Sequence, residues 1–246
     1  MPHTSYIYEP KSARQAVLMI HGICGTPRHF DFLLSAFDQN WAVYNILLDG
    51  HGGSVQDFSR TSMKKWQSQT CAMLDMLSGK YDRILVVGHS MGTLLLMEAI
   101  PHYPKVCGCV LLNAPLYPRV HPKQLPRMLR LTSGKSRLDD PEEALFYRAS
   151  SITMSKNLFL YLGWIPRYWE LLQLCKACRQ HFHLGVPSLV YMGDKDELVS
   201  SRSEKFFRSD PHIHLRVLEN TGHFGLSQAA ANTVLSDLPD FLSQLK

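Results

Sequence analysis

A chain of 246 residues, 45% hydrophobic and 19% charged, is long enough to close one sizeable core as a single α/β domain. Its formal net charge of +5, the balance of 26 basic and 21 acidic residues, is too mild and too dispersed to indicate nucleic acid. No run comes near the roughly 18 apolar residues that a membrane-spanning helix needs.

The opening stretch, MPHTSYIYEP, lacks a basic start followed by an apolar core, so no secretory signal is read there. The 6 scattered cysteines then read as reduced thiols, and the expected location is cytoplasmic. Residues 17–20 (VLMI) predict a strand ending at His21-Gly22, and residues 43–48 (VYNILL) a second that runs into DGHGGS. A helix is expected over 62–77, with Gly79 as its stop. Strand 84–87 (ILVV) follows, then Gly88-His89-Ser90-Met91-Gly92, then a helix stopped by Pro101 and Pro104. Short strands are expected at 110–112, 188–192 and 214–218, with helical spacing from 227 onward. Alternating strands and helices imply an α/β fold built on a doubly wound, mainly parallel sheet.

One stretch breaks this rhythm. Between Pro115 and Pro187 about seventy residues show no convincing strand, too many for an ordinary connection. The expected organisation is therefore a core formed by residues 1–114 and 187–246, with residues 115–186 inserted as a helical cap over the carboxyl ends of the strands. The insertion is rich in aromatic residues, among them Tyr117, Phe146, Tyr147, Trp164 and Trp169. It also carries 11 Lys or Arg against 5 Asp or Glu between Leu116 and His183. That surplus reads either as a solvated face whose aliphatic stems cover apolar surface, or as a means of settling on anionic lipid, with Arg127 and Arg130 as the residues to test.

The polar insert at 88–92 is a turn between a buried strand and a helix. A serine forced there into a strained, positive-φ conformation stands above the sheet, and its neighbours two residues away come so close that only glycine fits. Gly-x-Ser-x-Gly arises by accident in roughly one chain in ten of this length. The flanking strand and helix are what make Ser90 a candidate nucleophile.

A serine hydroxyl needs a base, and the base needs a carboxylate to hold its tautomer. His223, in ENTGHFG after the last strand, is the candidate base. The acid is read in YMGDKDELVS, where Asp196 is favoured over Asp194 and Glu197, which read as solvated turn residues. The alternative position after strand 110–112 holds Asn113 and no carboxylate. Charge developing on a carbonyl oxygen needs N–H donors. The backbone amides of Met91, at the start of the elbow helix, and Ile23, in the loop HGICGTPRHF, are the candidates.

Other residues have plainer readings. His21, His51 and His89 read as loop braces or packed neighbours, because polar groups in tight turns need partners. Cys175, Cys178, His181 and His183 sit at helical spacing and do not form the two separated pairs of a metal site, so no metal is expected. Cys107 and Cys109 are alternate residues leading into the strand at 110–112 and read as core packing.

The segments IHGICGTPRHF, LDGHGGS, VGHSMGT, LNAPLY, GDKDELV and NTGHF, in this order and spacing, resemble the α/β-hydrolase superfamily, and look most like its monoacylglycerol-lipase and carboxylesterase branch. The resemblance covers roughly Ala16 to His223 and is weak in the cap. It implies a serine hydrolase acting on carboxylic esters with no cofactor, and its nucleophile, acid, base and oxyanion donors fall on Ser90, Asp196, His223, Ile23 and Met91. The chain departs in its short N-terminus, which leaves the family's first antiparallel strand without a visible counterpart. The expected partner is a small ester with short to medium acyl chains or a monoacylglycerol, bound by a monomer or homodimer. An acyltransferase, an amidase or peptidase with the same triad, and a non-catalytic ligand-binding homologue are the alternatives. A base that must be neutral to act predicts activity falling as the pH drops through roughly 6 to 7.

Overall fold

The computed structural model describes residues 3–119 and 149–245. Phe146, Tyr147, Arg127 and Arg130 lie outside them. Seven strands form one sheet: β1 (Tyr6–Tyr8), β2 (Gln15–Ile20), β3 (Trp41–Ile46), β4 (Arg83–His89), β5 (Val106–Leu112), β6 (Ser188–Gly193) and β7 (Ile213–Leu218). Their order across the sheet is β1-β3-β2-β4-β5-β6-β7. Every neighbouring pair is parallel except β1 with β3, where Tyr6 faces Asn45 and Tyr8 faces Val43 in antiparallel register. The antiparallel edge strand is thus present, contrary to the reading of a short N-terminus. Three exposed residues without a turn signal give no periodicity from which to read it.

Both faces of the sheet are covered, which is why β2 and β4 are near-continuous apolar runs. Alternate side chains enter opposite cores: Leu18 and Val86 join one, Val17 and Leu85 the other. The first core is closed by α1 (Val55–Arg60), α2 (Met63–Lys80), α3 (Met91–Ala99) and α4 (Trp164–Gln180). The second is closed by the 3-10 helix Pro27–Ala36 and the C-terminal helix Gln228–Gln244.

α2 begins where it was expected, with Ser62 capping it by accepting from Lys65 N, but Gly79 does not stop the helix. An added Cβ at Gly79 would meet nothing within 4 Å, so this glycine lies in the last turn without steric purpose. β5 starts four residues before its sequence reading because Val106 and Gly108 are recruited by pairing with Ile84 and Leu85 of β4, with Cys107 bulged between them.

From residue 149 onward the chain lies over the C-terminal strand ends. Trp164 of α4 packs on Phe58 with ring centroids 4.8 Å apart and donates from Nε1 to Val55 O at 3.2 Å. Glu170 Oε2 accepts from Met63 N at 2.8 Å. Two of the basic residues act here as fasteners: Arg167 donates to Thr61 O and pairs with Glu170 at 2.7 Å, while Arg179 donates to Leu116 O and lies over the Tyr117 ring. Cys175 and Cys178 face the core, where burial pushes both thiols up to about 12. Among the described residues no group of three or more His, Cys, Asp or Glu could hold a metal ion. No described helix is long and apolar enough to cross a membrane.

Candidate active site

β4 ends at the centre of the sheet and turns abruptly into α3 through Ser90, whose φ of 53° and ψ of −123° lie outside the ordinary regions for a residue with a side chain. The turn is held by Ser90 N donating to Leu112 O at 2.9 Å and by Thr93 N and Thr93 Oγ1 donating to Ser90 O at 2.9 and 2.7 Å. The glycine requirement is steric. A Cβ on Gly92 would stand 2.0 Å from the Ile20 carbonyl oxygen, and one on Gly88 would stand 2.8 Å from the Thr93 backbone. Gly22, not singled out in the sequence, meets the same demand, since its Cβ would fall 2.8 Å from Ser90 Cβ.

Asp196 follows β6 and His223 follows β7, so parallel strands bring both loops to the same edge as Ser90. His223 Nδ1 lies 2.8 Å from Asp196 Oδ2, and Nε2 lies 2.9 Å from Ser90 Oγ. A carboxylate can only accept, so the imidazole proton belongs on Nδ1 and Nε2 is left to accept from the serine hydroxyl. The second oxygen of Asp196 accepts from Leu198 N at 2.8 Å and Val199 N at 2.7 Å, which fixes the carboxylate plane. The Asp196 and His223 side chains are only 2% and 3% exposed.

Around these three, the loops are tied by residues the sequence did not assign. Asn113, with φ 50°, accepts from Gly193 N at 2.8 Å on the Asp196 side and donates to Gly222 O at 3.2 Å on the His223 side. Its place in the sequence showed only that a carboxylate was missing. Glu197 is half-buried and accepts from His223 N at 3.1 Å, and Asp194 accepts from Thr221 N at 3.1 Å. Both therefore brace the His223 loop; Asp194 is exposed, in keeping with its reading as a solvated turn residue, whereas the half-buried Glu197 departs from that reading. Side-chain to backbone bonds across more than twenty residues leave no local signal.

His21 accepts from Leu48 N at 3.1 Å and donates from Nδ1 to Gly22 O at 2.8 Å, and His51 donates to Asp49 O at 3.2 Å. Burial holds His21 and His89 well below the usual imidazole range and lowers His29 and His51 to about 4. Of these, His29 and His89 line the cavity beside Ser90. Met91 is the first residue of α3, so its amide has no acceptor within the helix. Ile23 lies in a turn closed by Gly25 N donating to Gly22 O at 2.9 Å, and among the described residues its own amide has no acceptor. Ser90 and His223 open onto a cavity of about 280 Å³, walled by Ile23, Tyr168, Leu172 and Val199.

A serine at a strand-to-helix elbow, facing an imidazole held by a carboxylate at the ends of a doubly wound sheet, defines a class. The Alpha/beta hydrolase family model matches residues 17–234, and the chain belongs to that family. It is similar to the thermostable monoacylglycerol lipase of Bacillus sp. strain H-257, at 26% identity over 194 residues, covering 74% of this chain and 71% of that protein. Among solved structures, a metagenome-derived lipolytic enzyme shares the fold at a TM-score of 0.73 and 17% identity, covering 99% of this chain and 98% of its own. The soluble variant of monoglyceride lipase from Saccharomyces cerevisiae gives 0.71 and 15%, with 98% and 91% covered. Est1E from Butyrivibrio proteoclasticus gives 0.62 and 18%, with 98% and 94% covered.

Proposed function

We propose that the protein hydrolyses carboxylic esters through an acyl-enzyme on Ser90. The observation that carries this reading is the continuous line of hydrogen bonds from Asp196 through His223 to Ser90 Oγ at the mouth of an apolar cavity. Ser90 Oγ attacks the ester carbonyl and passes its proton to His223 Nε2, and Asp196 stabilises the imidazolium. The carbonyl oxygen, now negative, is met by the amides of Ile23 and Met91. Collapse of this intermediate expels the alcohol, which takes the proton from His223. Water then gives its proton to the same imidazole and attacks the acyl carbon, and collapse of the second intermediate releases the acid as the imidazolium returns the proton to Ser90 Oγ. The cycle consumes one ester and one water and needs no cofactor.

Residues 115–186 act in this reading as a cap. Its support is α4, which supplies Tyr168, Leu171 and Leu172 to the wall of the cavity. A volume of about 280 Å³ with a largely aliphatic lining suits short to medium acyl chains or monoacylglycerols, and the Bacillus relative is named for the latter. Contact with a lipid surface belongs to the same proposal: Phe159, Ile165 and Trp169 are 80%, 63% and 62% exposed along one stretch of the cap. Loss of vesicle binding on replacing Phe159 and Trp169 by Asp is the expected result, and unchanged binding would remove that part.

The deciding experiment measures hydrolysis of nitrophenyl esters of two to sixteen carbons by the protein and its Ser90→Ala variant. Turnover that peaks at one chain length and vanishes in the variant supports the mechanism and sizes the pocket. Turnover that survives in the variant refutes it. Added alcohols or amines that intercept the acyl group would redirect the reading to an acyltransferase or amidase.

A further inference from the structure

The loop that carries the Ile23 amide is strained, and what holds it comes from the other side of the cavity. Gly22 to Gly25 form a four-residue turn with Ile23 and Cys24 at its centre. Cys24 stands at φ 56°, in the third position of the turn, where glycine is the residue of choice. A cysteine there gains nothing from its backbone. Its side chain and carbonyl are gripped instead by the chain beyond residue 148: Ser151 N donates to Cys24 O at 2.9 Å, and Tyr168 OH lies 3.7 Å from Cys24 Sγ. Ser151 is 3% exposed, so its amide bond is shielded from water. Relaxing Cys24 to negative φ would rotate the Ile23–Cys24 peptide and open the turn that aims the Ile23 amide.

We propose that Tyr168 is a positioning residue for the oxyanion amide of Ile23, acting through its contact with Cys24. The proposal rests on the acyl-enzyme reading above. It gives the inserted segment a part in transition-state stabilisation in addition to walling the acyl cavity, because α4 carries the group that keeps the strained turn in place. Tyr168 makes no hydrogen bond to Ser90, Asp196 or His223, its hydroxyl meeting Cys24 Sγ, and its effect should reach the chemistry only through the loop.

Two consequences separate this from a role as cavity wall. A wall residue matters more as the acyl chain lengthens, whereas a displaced oxyanion donor costs the same for acetate as for a long ester. A displaced donor also weakens a trifluoromethyl ketone, whose tetrahedral adduct on Ser90 carries the oxyanion, by the same factor as kcat/KM.

The test compares the whole protein with Tyr168→Phe, Cys24→Ala, the double variant and Ser90→Ala, on acetyl through dodecanoyl nitrophenyl esters. Full loss of one donor lowers kcat by about 10² to 10³. A shifted donor should lower it by about tenfold in Tyr168→Phe, with KM within about twofold, equally at every chain length. Trifluoromethyl ketone affinity should fall in parallel. Cys24→Ala should cost the same, and the double variant no more than either single change. Wild-type kinetics in Tyr168→Phe, a loss that grows with chain length, or additive losses in the double variant would each overturn the proposal while a dead Ser90→Ala left the reaction reading intact. Turnover surviving in Ser90→Ala would overturn both.

Discussion

His89 Nε2 donates to the carbonyl of His223 at 3.0 Å, so the residue immediately before Ser90 holds the loop that carries His223. The two rings lie 5.1 Å apart, and His89 is 5% exposed. Elbow and base loop are therefore fixed to each other directly, independently of the Ser90 to His223 bond. Asn113 reinforces the same carbonyl from the other side at 3.4 Å.

Replacing His89 by Phe keeps the packing and removes the donor. The His223 carbonyl would keep only the weaker Asn113 bond, at a stability cost of about 1–3 kcal/mol. Activity should fall about tenfold in kcat with KM held, because the base drifts while the cavity walls stay. Thermal denaturation and ester kinetics check both; unchanged kinetics would show that Asn113 suffices.

Asp196→Asn should leave the fold intact, since its side-chain oxygen can still accept from the Leu198 and Val199 amides. The amide facing His223 can no longer hold the proton on Nδ1, and turnover should drop by about 10⁴. Circular dichroism should be unchanged. A loss below tenfold would move the acid elsewhere.

Gly92→Ala tests the close approach of helix and sheet. With its Cβ at 2.0 Å from a carbonyl oxygen of β2, no rotamer change relieves the clash, and α3 or β2 must shift. The cost should be about 3 kcal/mol or more, which lowers Tm by roughly 6 °C or more in a chain of this size. A scan within two degrees of the wild type would contradict it.

Stability should also depend on pH through the buried imidazoles. Burial lowers His51 from 6.5 to about 4, so between those values the unfolded chain binds a proton that the folded one refuses. Stability is then complete above about 6.5, is lost as the pH falls toward 4, and changes no further below it through this group. The shift corresponds to about 3 kcal/mol. Urea titrations at several pH values should show this slope, and His51→Asn should flatten it by about that amount. An unaltered slope would place the acid sensitivity on other groups.

Much of the fold and of the site was legible from the chain. The elbow was, because glycines two residues either side of a serine, between an apolar run and a helix, encode one backbone geometry that admits few alternatives. The parallel sheet was, because strands buried on both faces must be apolar at every position. Ser90, Asp196 and His223 could be named from their places after three strands, since parallel topology sends all strand ends to one edge. The tertiary structure alone decided what holds that edge together: Asn113 bridging Gly193 and Gly222, Glu197 on the His223 amide, His89 on the His223 carbonyl, and Tyr168 on Cys24. These contacts join residues 26 to 144 positions apart. A side chain's partner at that separation is set by where the backbone lands and leaves no pattern in its neighbours. The edge strand Tyr6–Tyr8 escaped for a related reason, as three exposed residues gain strand geometry from pairing with β3 and not from their own sequence.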